Sequence, residues 1–155
     1  MKNPLMVNKF KQLNLNIDKD PTDKATAYID GASKGNPGSS SIGVLLTDSN
    51  GIVHKIKGYI GILTNNQAEY HALITALKTA KNLKESNLTI YTDSQLLANQ
   101  INNIWRVRNP QIKTLYKEAI ELISTFKKIE INHIPRSLNQ EADKLANEAL
   151  VNYHS

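Results

Sequence analysis

Asp30, Glu69, Asp93 and Asp143 are acidic residues whose surroundings fit metal-dependent chemistry. Asp30 closes the strand-like run Tyr28-Ile29-Asp30, and a stretch punctuated by Gly31, Gly35, Pro37 and Gly38 follows it. Asp93 closes a second such run, Tyr91-Thr92-Asp93. Glu69 falls on the inward stripe of a predicted helix, where a charge is costly unless paired or bound to metal. Asp143 falls in the second turn of the last predicted helix, beside its apolar stripe. Four hard oxygen donors without His or Cys suit Mg2+ or Mn2+ rather than zinc. Two such ions about 4 Å apart can act on a phosphodiester from both sides, activating a water and stabilising the leaving oxyanion. Each residue alone has a plainer reading: a turn former, a helix cap, a solvated helix edge, an acid favoured by a helix dipole. The four together point to a metal site.

The elements that must position them follow from local patterns. Ala25, Ala27 and Ile29 alternate with Thr26, Tyr28 and Asp30, which predicts a strand ending at Asp30. Ser41 to Thr47 reads as a second strand, Asp48-Ser49-Asn50-Gly51 as a tight turn, and Ile52 to Ile60 as a third strand. Thr64 and Gln67 form a capping box for a helix to about Leu83, with the stripe Leu73, Ala76, Leu77, Ala80 and Leu83. Leu88 to Asp93 is a strand, and Ser94 caps a helix to about Asn103. Asn109 and Pro110 start a third helix, with Ile112, Leu115, Ala119, Leu122, Ile123 and Phe126 as its apolar face. Ile129 to Ile134 is the last strand. Ser137 and Gln140 read as a second capping box, opening a helix with Leu138, Ala142, Leu145, Ala146, Ala149 and Leu150 inward. A three-strand antiparallel meander followed by alternating helices and strands implies one mixed sheet covered by helices.

The chain has 155 residues, enough for one domain with a real core. The absence of cysteine excludes disulfides and thiolate metal sites and fits a reducing compartment. No apolar run reaches the length of a membrane span or a secretory signal, so the expectation is a cytoplasmic protein without a membrane partner. The net charge is +5, and an acidic site would leave the remaining surface more basic still, which favours a polyanionic partner. Residues 1–23 read as an N-terminal extension, docked or disordered, with Leu5, Met6, Phe10 and Leu13 as a short apolar stripe.

Four segments carry a family resemblance: 28–38 around Asp30, Thr64-Asn65-Asn66-Gln67-Ala68-Glu69-Tyr70, Tyr91-Thr92-Asp93-Ser94-Gln95, and Asn139-Gln140-Glu141-Ala142-Asp143-Lys144-Leu145-Ala146. Over about residues 25–150 the chain resembles a type 1 ribonuclease H, an enzyme that cleaves the RNA strand of RNA–DNA hybrids. The resemblance implies an α/β ribonuclease H-like fold with a five-stranded mixed sheet, over residues 24–153. It implies that Asp30, Glu69, Asp93 and Asp143 hold two Mg2+ ions, and that products carry 5′-phosphate and 3′-hydroxyl ends. Gly35, Asn36, Asn66 and Gln95 match positions that contact the hybrid; Asn66 is equally a helix-start residue. Where many members carry a basic helical protrusion, this chain has a short connector with Trp105, Arg106 and Arg108, as in compact members. Arg106 and Arg108 are the expected contacts there. Arg136 resembles the arginine that compact members carry in place of a mobile catalytic histidine, and is favoured over His133, which falls inside the last predicted strand. A free-standing monomer is the expectation. Related phosphoryl-transfer enzymes with this sheet, such as integrases and junction resolvases, are the nearest rival, and a non-catalytic hybrid-binding domain is the rival of another class.

Overall fold

The computed structural model describes residues 24–154; the expected apolar stripe of the N-terminal extension lies outside them. The strands are β1 (Ala25–Gly35), β2 (Gly38–Thr47), β3 (Val53–Leu63), β4 (Asn87–Thr92) and β5 (Lys128–His133). The helices are α1 (Asn65–Asn82), α2 (Gln95–Ile101), α3 (Pro110–Ile123) and α4 (Gln140–His154), with a 3-10 turn at Arg136–Leu138. The five strands form one sheet in the order β3-β2-β1-β4-β5. β1, β2 and β3 are antiparallel neighbours, while β4 runs parallel to both β1 and β5. The expected mixed sheet is therefore present. Among the described residues, no helix is long and apolar enough to cross a membrane.

The core follows from strand alternation. Ala25, Ala27 and Ile29 are fully buried and share a face with Val44 and Leu46 of β2 and Leu88 and Ile90 of β4. α1 covers that face with Leu73, Ala76, Leu77 and Ala80, and α3 packs against α1. α4 packs on β1, β2 and β3 from the other face, burying Ala142, Leu145, Ala146, Ala149 and Leu150.

Local chemistry starts three of the helices as expected. Thr64 accepts from the Gln67 amide while the Gln67 side chain accepts from the Thr64 amide, closing the capping box. Ser94 accepts from the Leu97 amide, and Asn109 caps α3 ahead of Pro110. Other expectations need correction. β1 does not end at Asp30: pairing with β2 carries it on to Gly35, and the turn is confined to Asn36 and Pro37. Ser137 does not cap α4. It lies in the 3-10 turn, α4 begins at Gln140, and Leu138 is 65% exposed rather than inward. Leu83 lies past the end of α1 and is exposed. Phe126 follows α3 and packs on the core from outside the helix.

Candidate active site

The site forms where β1 changes neighbours. Parallel pairing with β4 stops at Ile29 opposite Thr92, while antiparallel pairing with β2 continues through Asp30 opposite Gly43. Asp30 is the first residue beyond the parallel pairs, and Asp93 is the first residue beyond β4. Both carboxylates therefore stand at the carboxyl ends of parallel neighbours, where α/β sheets open a crevice.

Two glycines beside Asp30 bring in the helices. A Cβ on Gly31 would lie 2.4 Å from the carbonyl carbon of Ala68 and the nitrogen of Glu69. Only a residue without a side chain lets the α1 backbone come that close. The Gly31 amide, two residues past the last parallel pair, donates to Glu69 Oε1. A Cβ on Gly43, the cross-strand partner of Asp30, would lie 2.2 Å from the Ala142 carbonyl oxygen of α4. Gly31 and Asp30 point to opposite faces of the sheet. Glu69 thus arrives from the α1 face, and Asp143 from the α4 face.

Asp30, Glu69 and Asp93 each offer a carboxylate oxygen within 4.8 Å of the others. Asp143 is not part of that trio. It hydrogen-bonds to Asp30, and its Oδ1 lies 3.6 Å from Arg136 Nη2. Asp30 is 6% exposed and Glu69 7%. Burial pushes the Asp30 carboxyl up to about 10, helped by the charges of Glu69 and Asp93 and by hydrogen bonds with Asp143 and Glu69. Burial also pushes Glu69 up, together with the charge of Asp93; the Gly31 amide and hydrogen bonds from Asp30 and Thr92 oppose that rise. Among the described residues, no lysine, arginine or histidine forms an ion pair with Asp30, Glu69 or Asp93. A buried group of carboxylates with no counter-charge of its own suits a divalent cation with oxygen ligands.

The other expected residues lie on the β1–β2 hairpin, at two helix starts and on the connectors. Gly35 has φ 104 at the hairpin turn, and Asn36 Oδ1 accepts from the Asn65 amide at 3.1 Å, tying the turn to the start of α1. Asn66 is exposed in the first turn of α1, and Gln95 is exposed at the first position of α2. Arg106 and Arg108 are exposed on the connector between α2 and α3. Arg106 lines a groove with Trp105, Tyr116, Lys113 and Lys117. Among the described residues that connector holds no extra helix, so the basic protrusion is lacking. His133 lies in β5, as expected, but as its last residue rather than inside a strand reaching Ile134, and Arg136 lies in the 3-10 turn beyond it, 81% exposed.

Two residues of the resembling segments were given no role from the sequence. Asn139 gives Nδ2 hydrogens to the Ile29 carbonyl and to Asp93 Oδ2. Thr92 accepts from the Ser94 amide and reaches Glu69 Oε2 at 3.5 Å. The signal for Asn139 was its position four residues before Asp143; for Thr92, its place immediately before Asp93.

Comparison with known proteins decides the family. The family model described as Reverse transcriptase-like matches residues 28–149. Ribonuclease HI of Halobacterium salinarum is 42% identical over 135 residues, 86% of this chain and 68% of that protein. The chain belongs to the ribonuclease HI family. The crystal structure of RNase H1 from Halobacterium salinarum superposes with a TM-score of 0.80 at 40% identity, covering 83% of this chain and 98% of that one. The structure of LC11-RNase H1 in complex with an RNA/DNA hybrid gives a TM-score of 0.79 at 34% identity, covering 84% and 99%. The chain also spans 35% of a bifunctional protein of Mycobacterium tuberculosis, to which it is 36% identical.

Proposed function

We propose that this chain is an endoribonuclease that hydrolyses the RNA strand of RNA–DNA hybrids. The observation that carries the reading is the trio Asp30, Glu69 and Asp93, gathered at the fork of β1 with no ion-paired lysine, arginine or histidine among the described residues, in a member of the ribonuclease HI family. Asp143, joined to Asp30 from α4, completes the set of four ligands. Two Mg2+ ions, or Mn2+ in their place, would supply Lewis acidity for water activation and for the developing charge on the 3′ oxygen. Attack of water oxygen on phosphorus breaks the bond to the 3′ oxygen and leaves 5′-phosphate and 3′-hydroxyl ends.

The chain's own residues divide the remaining work. Gly35, Asn36, Asn66 and Gln95 offer backbone amides and short polar groups, which suit the 2′-hydroxyls of a wide, shallow minor groove. Arg106, which shares a groove with Lys113 and Lys117, and Arg108 on the same connector face phosphates of the hybrid. The Arg136 guanidinium contacts Asp143 at 3.6 Å, and its exposure lets it follow the water or the departing phosphate. The reading extends to a cytoplasmic monomer whose hydrolase domain is 24–153, with residues 1–23 outside it.

The decisive experiment incubates the protein with a labelled RNA–DNA hybrid beside duplex DNA and duplex RNA, with Mg2+ or with EDTA. Cleavage confined to the RNA of the hybrid and abolished by EDTA is the expected result; equal or absent cleavage of all three would overturn the reading. Asp93→Asn should abolish cleavage while the circular dichroism spectrum and cooperative melt persist.

A further inference from the structure

Asn139 is 1% exposed and immediately precedes α4. Its Nδ2 donates to the Ile29 carbonyl at 2.9 Å and to Asp93 Oδ2 at 3.3 Å. Its backbone carbonyl accepts from the Asp143 amide at 3.1 Å. Ile29 is the residue before Asp30. One side chain and its own carbonyl therefore touch the carriers of three carboxylates, from β1, β4 and α4.

The orientation of the amide is dictated by its partners. Both are oxygen acceptors, so the nitrogen must face them; a flipped amide would set oxygen against oxygen. Oδ1 is left buried, without a hydrogen-bond partner among the described residues. Buried polar atoms are normally matched, and leaving one unmatched is unfavourable. What this placement achieves is the commitment of one Asp93 oxygen to a fixed donor, which sets the rotation of that carboxyl group.

We infer that Asn139 is a positioning residue: it holds the Asp93 carboxylate, relative to the strand that carries Asp30, in the orientation that binds the cation. The inference rests on the metal-dependent reading above. Partners of metal-bound carboxylates orient them in this way, and their loss typically weakens metal binding roughly 10–100-fold. Asn139 touches neither the substrate nor the reacting atoms, so its removal acts on the metal and spares hybrid binding.

The test starts with wild-type protein. Mn2+ binding is followed by the electron paramagnetic resonance signal of the free ion without substrate, and hybrid cleavage is followed in parallel. A wild type that neither binds Mn2+ nor cleaves overturns the proposed function and this inference with it. Given a wild type that does both, Asn139→Ala should bind Mn2+ roughly tenfold or more weakly. Its kcat should fall at limiting metal, with KM for the hybrid unchanged. A folded Asn139→Ala protein with wild-type Mn2+ affinity, even one that melts earlier, overturns the positioning role alone. Should that variant not fold, the wild type still decides. The Asn139 Nδ2 resonances should shift on Mg2+ addition with the midpoint of metal binding, and resonances that stay still overturn the inference.

Discussion

Replacing Asp30 by asparagine should make the metal-free protein more stable, with a dependence on pH that identifies the cause. Three carboxylate oxygens within 4.8 Å of one another repel by about 3.5 kcal/mol per pair at an effective dielectric constant near 20. The folded protein escapes part of this by keeping a proton on Asp30, whose pKa is pushed up from 3.8 to about 10. In the unfolded chain the same carboxyl is ionised above pH 4. Folding therefore takes up a proton, and this becomes less favourable by about 1.4 kcal/mol for each pH unit above 3.8. At pH 7 the penalty is about 4 kcal/mol; at pH 4 it almost vanishes. Asp30→Asn has the same shape, needs no proton, and removes the penalty. The assay is urea denaturation of both proteins in EDTA at several pH values from 4 to 7. The variant should be more stable by about 2–4 kcal/mol at pH 7, with the gap closing as pH falls. Saturating Mg2+ should raise the wild type far more than the variant. A gap that does not change with pH, or a variant less stable than wild type at pH 7 in EDTA, would refute this account of the centre.

Further outcomes follow from other contacts. Gly43→Ala would drive a Cβ to within 2.2 Å of the α4 backbone, so α4 must shift; a loss of about 1–3 kcal/mol or more in thermal unfolding is expected. Gly58→Ala meets nothing within 4 Å and should stay within about 0.5 kcal/mol of wild type. Burial pushes Asp48 up, but hydrogen bonds from His54 and from the amides of Ile52 and Asn50 hold its carboxyl below the usual value. Asp48→Asn should therefore cost about 1–2 kcal/mol at pH 7, and the cost should disappear as the pH falls through the wild-type carboxyl's lowered pKa, measured by urea denaturation at pH 7 and pH 2. Arg106→Ala should weaken hybrid binding and reduce the slope of log affinity against log salt by about 1. An unchanged slope would remove Arg106 from the phosphate contacts.

What could be read in the sequence was mostly what is decided within a few residues. The capping box at Thr64 and Gln67, the cap at Ser94 and the pair Asn109-Pro110 are local devices, and the structure contains all three. The same local pattern misled at Ser137 and Gln140, because the chain turns through a 3-10 segment before α4 starts. Gly31 looked like the beginning of a turn after Asp30. Its actual reason is the backbone of α1, which a Cβ at Gly31 would meet at 2.4 Å, a neighbour 37 residues away in sequence at Ala68. β1 overran its expected end because β2, not its own composition, pairs it as far as Gly35. Asn139 stood in a recognised segment but was given no role, because its side-chain partners, Ile29 and Asp93, lie 110 and 46 residues away.

The fork of β1 also sets a length scale. From Asp30 the strand runs five residues further to Gly35 while β2 stiffens it along one edge. At the usual rise per residue this hairpin arm reaches about 16 Å past the carboxylates. Its tip is moored to the start of α1 by Asn36 and Asn65, and Ser33 and Ser40 both donate to the Leu63 carbonyl at the end of β3. The arm thus behaves as a fixed gauge rather than a swinging loop. Anything the tip grips is held at a set offset from the point of cleavage, and lengthening the hairpin would move that grip along the substrate while leaving every carboxylate in place.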